Sequence, residues 1–255
     1  MRNWLNCSGK LENQKLIYFL SDAHLGTPDH ASSLKREKKL VAFLDEIKDR
    51  ASDIFLMGDL FDFWFEYKRV VPRGFSRILG KMAELSDRGI RLHYFTGNHD
   101  IWMFDYLTEE AGITLYRHPT ALSLNGKHFF LAHGDGLDEK DHTFRILKWI
   151  FTNKLLQWAF ARLHPNFAFW VASGWSRRSR ALHGVDPFKV EEEPIVRYSR
   201  KYLESQGYDF LVFGHRHCPV DYPLNAHTRL FILGDWMTHF SYAVFDGQSL
   251  QLKYM

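Results

Sequence analysis

KLIYFLSDAHLG, residues 15–26, decides the fold. Lys15 to Leu20 is a short apolar run with no polar alternation, which reads as a strand buried on both faces. It ends in a polar loop holding Asp22 and His24. Working outward, the same format recurs: Asp53 to Met57 runs into Gly58-Asp59-Leu60-Phe61-Asp62, and Ile90 to Phe95 into Gly97-Asn98-His99-Asp100. His128 to Leu131 leads to His133-Gly134-Asp135, and Phe210 to Phe213 to Gly214-His215-Arg216-His217. Between the first three runs, Ser33 to Arg50 has helical spacing through Leu40, Phe43, Leu44 and Ile47, and Phe75 to Arg88 is helical up to Gly89, a C-cap. The first half is therefore β-α-β-α-β.

The second half adds hairpins. Asn125-Gly126 and Asp246-Gly247 sit between short apolar runs, a strong two-residue turn signal, and Leu230 to Leu233 precedes Gly234-Asp235. From about Asp141 to Leu182 the chain turns helical and aromatic. The expected fold class is α/β, two packed sheets with helices outside. Residues 1–136 and 184–255 form the core, and residues 137–183 a helical insertion, long for a connection and so expected to be functional.

A chain of 255 residues suits one such domain. The formal charge of +3 is too slight to imply nucleic acid, and no nucleic-acid partner is expected. Cys7 and Cys218 offer neither a disulfide framework nor a Cys-rich zinc site, so a reducing cytoplasm is expected. Met1 to Lys15 lacks the apolar segment of a signal peptide, and no apolar stretch reaches the roughly 18–20 residues of a spanning helix. A soluble or peripheral protein is expected.

In α/β folds ligands bind beyond the carboxyl ends of the strands, so the five loops are expected to converge on one crevice. A lone His or Asp at a strand end is more often a turn or capping residue than a ligand. Here the pattern occurs five times. Asp22 and His24, at i and i+2 of an extended segment, are expected to point the same way, as are His215 and His217. His, Asp and one Asn without Cys suit Mn²⁺, Fe or Zn²⁺ better than Ca²⁺. Asp59 is the candidate bridge between two cations. Such a pair, about 3.5–4 Å apart, would clamp a phosphoryl group and acidify a shared water. Asp62 is either a turn residue or an outer partner of the ligands, and Asp135 and Asp235 are read as turn or outer residues.

These motifs, in this order from residue 22 to 217, resemble the calcineurin-like metallophosphoesterases. The resemblance implies a four-layer α-β-β-α sandwich and a two-metal hydrolase. It places Asp22, His24, Asp59 and His217 on one metal and Asp59, Asn98, His133 and His215 on the other. It also places His99 opposite the scissile phosphate, stabilising charge or protonating the leaving group, with a carboxylate orienting it.

FRILKWIFTNKLLQWAFARL, Phe144 to Leu163, is apolar almost all round, with Arg145, Lys148, Lys154 and Arg162 interspersed, and reads as one helix in need of an apolar partner. Arg177, Arg178 and Arg180 follow as a cationic edge. A satellite core accounts for most aromatic stripes of this kind. This one begins directly after His133-Gly134-Asp135, which favours a substrate-binding cap for a lipid with a phosphate headgroup, with Trp149, Trp158, Phe160, Arg177, Arg178 and Arg180 as its contacts.

Ser21-Asp-x-His-Leu25, Gly58 to Asp62 and Leu233-Gly-Asp-Trp236 are similar to the UDP-2,3-diacylglucosamine hydrolase branch of the family. That resemblance implies cleavage of a UDP-linked acylated glucosamine to UMP and 2,3-diacylglucosamine 1-phosphate, with manganese, at the cytoplasmic face of the inner membrane. The chain departs from the branch at His99, where the branch carries Arg, and there restores the wider family's pattern. A proton-carrying ring is not equivalent to a fixed planar cation.

Overall fold

The computed structural model describes residues 15–138, 142–182 and 189–255. Strands β1 (Leu16–Leu20), β2 (Ala51–Leu56), β3 (Arg91–Phe95) and β4 (Thr114–Tyr116) lie side by side in parallel, with helices α1 (His30–Ile47), α2 (Ser76–Asp87) and α3 (Tyr106–Ala111) as their crossovers. The hairpin β5 (Thr120–Leu124) and β6 (Lys127–Ala132) opens the second sheet. Helices α4 (His142–Thr152), α5 (Lys154–Phe160) and α6 (Pro165–Leu182) follow, then α7 (Pro194–Tyr202). The chain closes with β7 (Phe210–Phe213), β8 (Pro219–Pro223), β9 (Arg229–Leu233), β10 (Ser241–Phe245) and β11 (Leu250–Tyr254). The sheet orders are β11-β10-β1-β2-β3-β4 and β5-β6-β7-β9-β8.

Period-two alternation explains the layers. Along β1, Ile17 and Phe19 face the second sheet, where they join Phe55, Phe129, Val212, Phe231 and Phe245; Tyr18 and Leu20 face the other way, onto Leu40, Phe43 and Leu44 of α1. On the far side, Ile195 and Val196 of α7 cover Phe130, Leu211 and Phe213. The result is α-β-β-α, in agreement with the expected class. Both faces of β1, of β7 and of β2 from Ile54 onward are buried, which is why each of these stretches reads as an unbroken apolar run.

Local signals move several boundaries. α1 starts at His30, earlier than its apolar spacing, because the Asp29 carboxylate accepts the Ser32 N–H at 2.9 Å and caps it. The stretch 144–163, expected as one helix, is two. Asn153 ends α4, and its side chain accepts the N–H groups of Leu155 at 3.0 Å and Leu156 at 3.2 Å, starting α5. Among the described residues, no helix is long and apolar enough to cross a membrane.

Candidate metal centre

All five polar loops leave the carboxyl ends of their strands on the same rim, and backbone hydrogen bonds knit them together. Asp22 N–H donates to the Gly58 carbonyl at 3.1 Å, His24 N–H to Asp59 at 2.9 Å and Gly214 N–H to His133 at 2.8 Å. Gly97 must be glycine, since a Cβ there would stand 2.1 Å from Asp59 Oδ1. The Asn98 loop thus passes directly over the Asp59 carboxylate.

The expected extended geometry at Asp22-x-His24 and His215-x-His217 is corrected here. Among the described residues eight non-glycine positions have positive φ, and five of them are Asp22 (55°), His24 (42°), Asp59 (52°), His215 (69°) and His217 (52°). Left-handed backbone at such residues is strained, and it collects where function over-determines geometry. The side chains converge because the loops curl, not because a strand alternates.

Three groups of potential ligand atoms result, each within 4.8 Å: Asp22, His24 and His217; His24, Asp59 and His99; Asp59, His133 and His215. The second and third groups share Asp59, whose Oδ2 lies 3.3 Å from His133 Nε2 and 3.7 Å from His24 Nε2, a member of the first. The two buried carboxylates divide their oxygens alike. Asp22 Oδ2 accepts from the His215 N–H at 2.9 Å and from the Ser21 hydroxyl, and Asp59 Oδ1 accepts from the His99 N–H at 2.9 Å. Each thereby ties down a neighbouring loop with one oxygen and turns the other toward imidazoles.

This donor set fits divalent cations. Asp22 Oδ1, Asn98 Oδ1 and His133 Nε2 are buried with no hydrogen-bond partner, a costly state unless a ligand completes it. His24 Nε2 and His217 Nε2 face each other at 3.2 Å, an approach two lone pairs make around a shared cation. Asp22, His24, Asp59 and His217 would hold one ion, and Asp59, Asn98, His133 and His215 a second. All donors are oxygen or imidazole nitrogen, which suits first-row divalent metals.

The electrostatics express the same demand for positive charge. Burial alone would raise the Asp59 carboxyl, but His133 and His99 outweigh it and hold it well below the usual carboxylate range. Burial would likewise lower His24, yet the bonds to Asp22 and Asp62 push it up to about 10. His215, buried and next to His133, is pushed down to about 4.

Outer contacts orient the rings. His133 Nδ1 donates to the Met57 carbonyl at 2.7 Å, leaving Nε2 for the centre, and His217 Nδ1 sits 3.3 Å from Asp235. His99 Nδ1 donates at 2.9 Å to the backbone carbonyl of Asp62, whose carboxylate is 3.8 Å away. A carbonyl, rather than the expected carboxylate, therefore takes this proton. The same Asp62 carboxylate lies 3.5 Å from His24 Nδ1 and so reaches both rings, which touch edge to face.

Two buried acids that sequence reading did not single out as cross-links hold the rim. Asp100 accepts the N–H groups of Gly97 at 2.7 Å and Leu60 at 3.0 Å, joining the Asn98 and Asp59 loops. Glu66 accepts from Phe104 at 2.7 Å, Asp105 at 2.8 Å and Tyr106 at 3.2 Å with one oxygen and from the Trp64 indole at 2.9 Å with the other. A carboxylate embedded in an aromatic run, Trp64-Phe65-Glu66-Tyr67, was the available clue.

Helices α4 and α5 stand beside this rim. Phe160 packs on Phe65 and Trp102, with ring centroids 4.9 and 4.6 Å away, so much of its surface is spent on the core. Trp149 and Trp158 are 63% and 57% exposed, and Leu155, Phe167 and Trp170 are exposed as well. The side chains of Arg177, Arg178 and Arg180 lie outside the described residues.

The model of the calcineurin-like phosphoesterase family matches residues 15–219. A UDP-2,3-diacylglucosamine hydrolase from Porphyromonas gingivalis is 42% identical over 94% of this chain and 97% of its own length. One of the same name from Pseudomonas aeruginosa is 29% identical over 86% of this chain and 90% of its own. Among solved structures, a dimetal phosphatase from Danio rerio aligns over 95% of this chain and 96% of its own, at 12% identity and a TM-score of 0.46.

Proposed function

The chain belongs to the calcineurin-like phosphoesterases and is a metal-dependent hydrolase, and from that premise we propose that it cleaves the pyrophosphate of UDP-2,3-diacylglucosamine or a closely related nucleotide-linked glycolipid. The products are UMP and 2,3-diacylglucosamine 1-phosphate. One observation carries the lipid half of this reading: an exposed apolar surface, with Trp149, Trp158 and Trp170, sits on helices anchored beside the five polar loops. Exposed aromatic area on that scale marks a surface with a partner.

In this reading residues 137–183 are a cap that receives the acyl chains, and residues 1–136 and 184–255 are the catalytic core. Two divalent cations, manganese first among Mn²⁺, Fe and Zn²⁺, supply Lewis acidity to the phosphoryl oxygens and to water when bound. Asp59 would serve both ions, and Asp22, His24, Asn98, His133, His215 and His217 would complete the set. His99, its Nδ1 proton committed to the Asp62 carbonyl, would use a proton on its other nitrogen to stabilise the charge on the departing phosphate or to protonate it. Trp158 beside Arg162, with Lys154 on the same stretch, also suits a peripheral seat on an anionic membrane at its cytoplasmic face.

His99 supports a second reading, a phosphodiesterase acting on soluble nucleotides, because it replaces the arginine of the lipid-cleaving branch. One assay separates the two: UDP-2,3-diacylglucosamine against UDP-sugars and nucleotides without acyl chains, with Mn²⁺ and with chelator. The acylated substrate is expected to be strongly preferred and chelator to stop the reaction. Equal cleavage of lipid-free substrates would remove the lipid reading. The same substrate embedded in anionic vesicles tests the membrane seat, which fails if the enzyme cannot reach it there.

A further inference from the structure

Helix α4 touches the core at two of the five loops, by different chemistry. At one end Gly136 has a left-handed backbone (φ +70°), and a Cβ there would lie 2.8 Å from Cε1 of Phe144. The Phe144 ring thus rests directly on the backbone of the loop that carries His133. One turn further along α4, Lys148 Nζ donates to Asp135 Oδ2 at 2.7 Å, with the Asp135 side chain 9% exposed and Lys148 41%. At the other end the Trp102 indole, in the loop following Asn98 and His99, donates to the Phe151 carbonyl at 2.6 Å and packs edge-on against its ring.

The ring contacts are broad and non-directional and permit sliding, while the Trp102 hydrogen bond fixes only the far end of α4. The ion pair has a direction and one end fixed in the His133 loop. We infer that Lys148 is a specificity-determining positioning residue: its pair with Asp135 sets the register of the cap on the His133 loop, so that a substrate held by its acyl chains brings its phosphate to the centre. This rests on the reading of the cap as the acyl site. The His133 ring is oriented independently, by the Met57 carbonyl, so loss of Lys148 leaves the centre itself intact. A half-exposed ion pair adds little to global stability. Its effect is therefore expected in productive placement, where a small displacement is expensive.

The test uses the full chain with Mn²⁺, comparing wild type, Lys148→Met and Lys148→Arg on UDP-2,3-diacylglucosamine and on bis(p-nitrophenyl) phosphate, which has nothing for a cap to grip. Lys148→Met is expected to lower kcat/KM on the acylated substrate about tenfold, to leave the aryl diester within about twofold, and to be largely rescued by Lys148→Arg. Amide exchange in 144–151 should quicken in Lys148→Met, a readout that needs no substrate. If wild type cleaves the acylated substrate and Lys148→Met does so equally well, the inference falls alone. An equal loss on both substrates also overturns it, by making the pair a support of the centre. If wild type ignores the acylated substrate while cleaving the diester, the reading of the cap falls and takes the inference with it.

Discussion

Strand β2 carries a buried carboxylate near each end, and the two are treated in opposite ways. Asp53, 2% exposed, is satisfied: Arg91 donates to it twice, at 2.7 and 2.9 Å, and His93 Nε2 lies 3.1 Å away. Asp59, 1% exposed, takes one backbone N–H at 2.9 Å and otherwise looks onto imidazoles that are themselves drawn toward it. Burial is the same and the bonding is not. A buried acid with its own arginine serves the fold, whereas one surrounded by neutralisable rings and orphaned donors awaits a cation.

The largest effect expected from this contrast is at Asp59. Asp59→Asn keeps the shape, tolerates the left-handed backbone and retains an acceptor for His99, while removing the charge. Hydrolysis of the acylated substrate and of a generic aryl diester with Mn²⁺ is expected to fall by at least about a thousandfold in kcat/KM. The rise in melting temperature that Mn²⁺ produces in wild type should vanish with it. Wild-type activity in Asp59→Asn would remove the bridging role.

Glu66 tests the middle of the comparison, a satisfied acid that supports the rim. Glu66→Ala leaves the N–H groups of Phe104, Asp105 and Tyr106 and the Trp64 indole without their acceptor. A loss of about 2–4 kcal/mol in urea unfolding is expected, with Glu66→Gln losing less because it still accepts. Equal stability of Glu66→Ala and wild type would show that water takes over these bonds.

These three acids also mark how far the sequence can be read. Asp59 was legible because β2 is buried on both faces, and an apolar run that stops at a Gly-Asp turn stands out from its surroundings. The β1, β3, β6 and β7 loops were legible for the same reason. The left-handed backbone at Asp22, His24 and His215 was not, since it is imposed by bonds between loops far apart in the chain. The short α3 and β4 carry too few residues to show a period. α7 shows only Ile195, Val196 and Ser199 to the core and went unread. Glu66 and Asp53 lie in runs whose meaning depends on partners tens of residues away.

The smallest expected effect, at Asp53, is the control for the other two. Burial alone would raise its carboxyl, but His93 and Arg91 bring it well below the usual carboxylate range. A depressed native pKa means that ionised Asp53 stabilises the fold at pH above the unfolded value of about 3.9, and that this contribution drains away as pH falls toward the native value. Asp53→Asn should therefore cost about 1 kcal/mol at pH 7, a modest figure because Arg91 is largely exposed and screened. The difference in stability between variant and wild type should narrow as pH drops below about 4. Activity at pH 7 should stay at the wild-type level, since Asp53 lies at the start of β2 and the centre lies past its end. A pH-independent stability difference would show that shape, not charge, holds this end of the strand; a loss of turnover would show that the two ends of β2 are not separate in function.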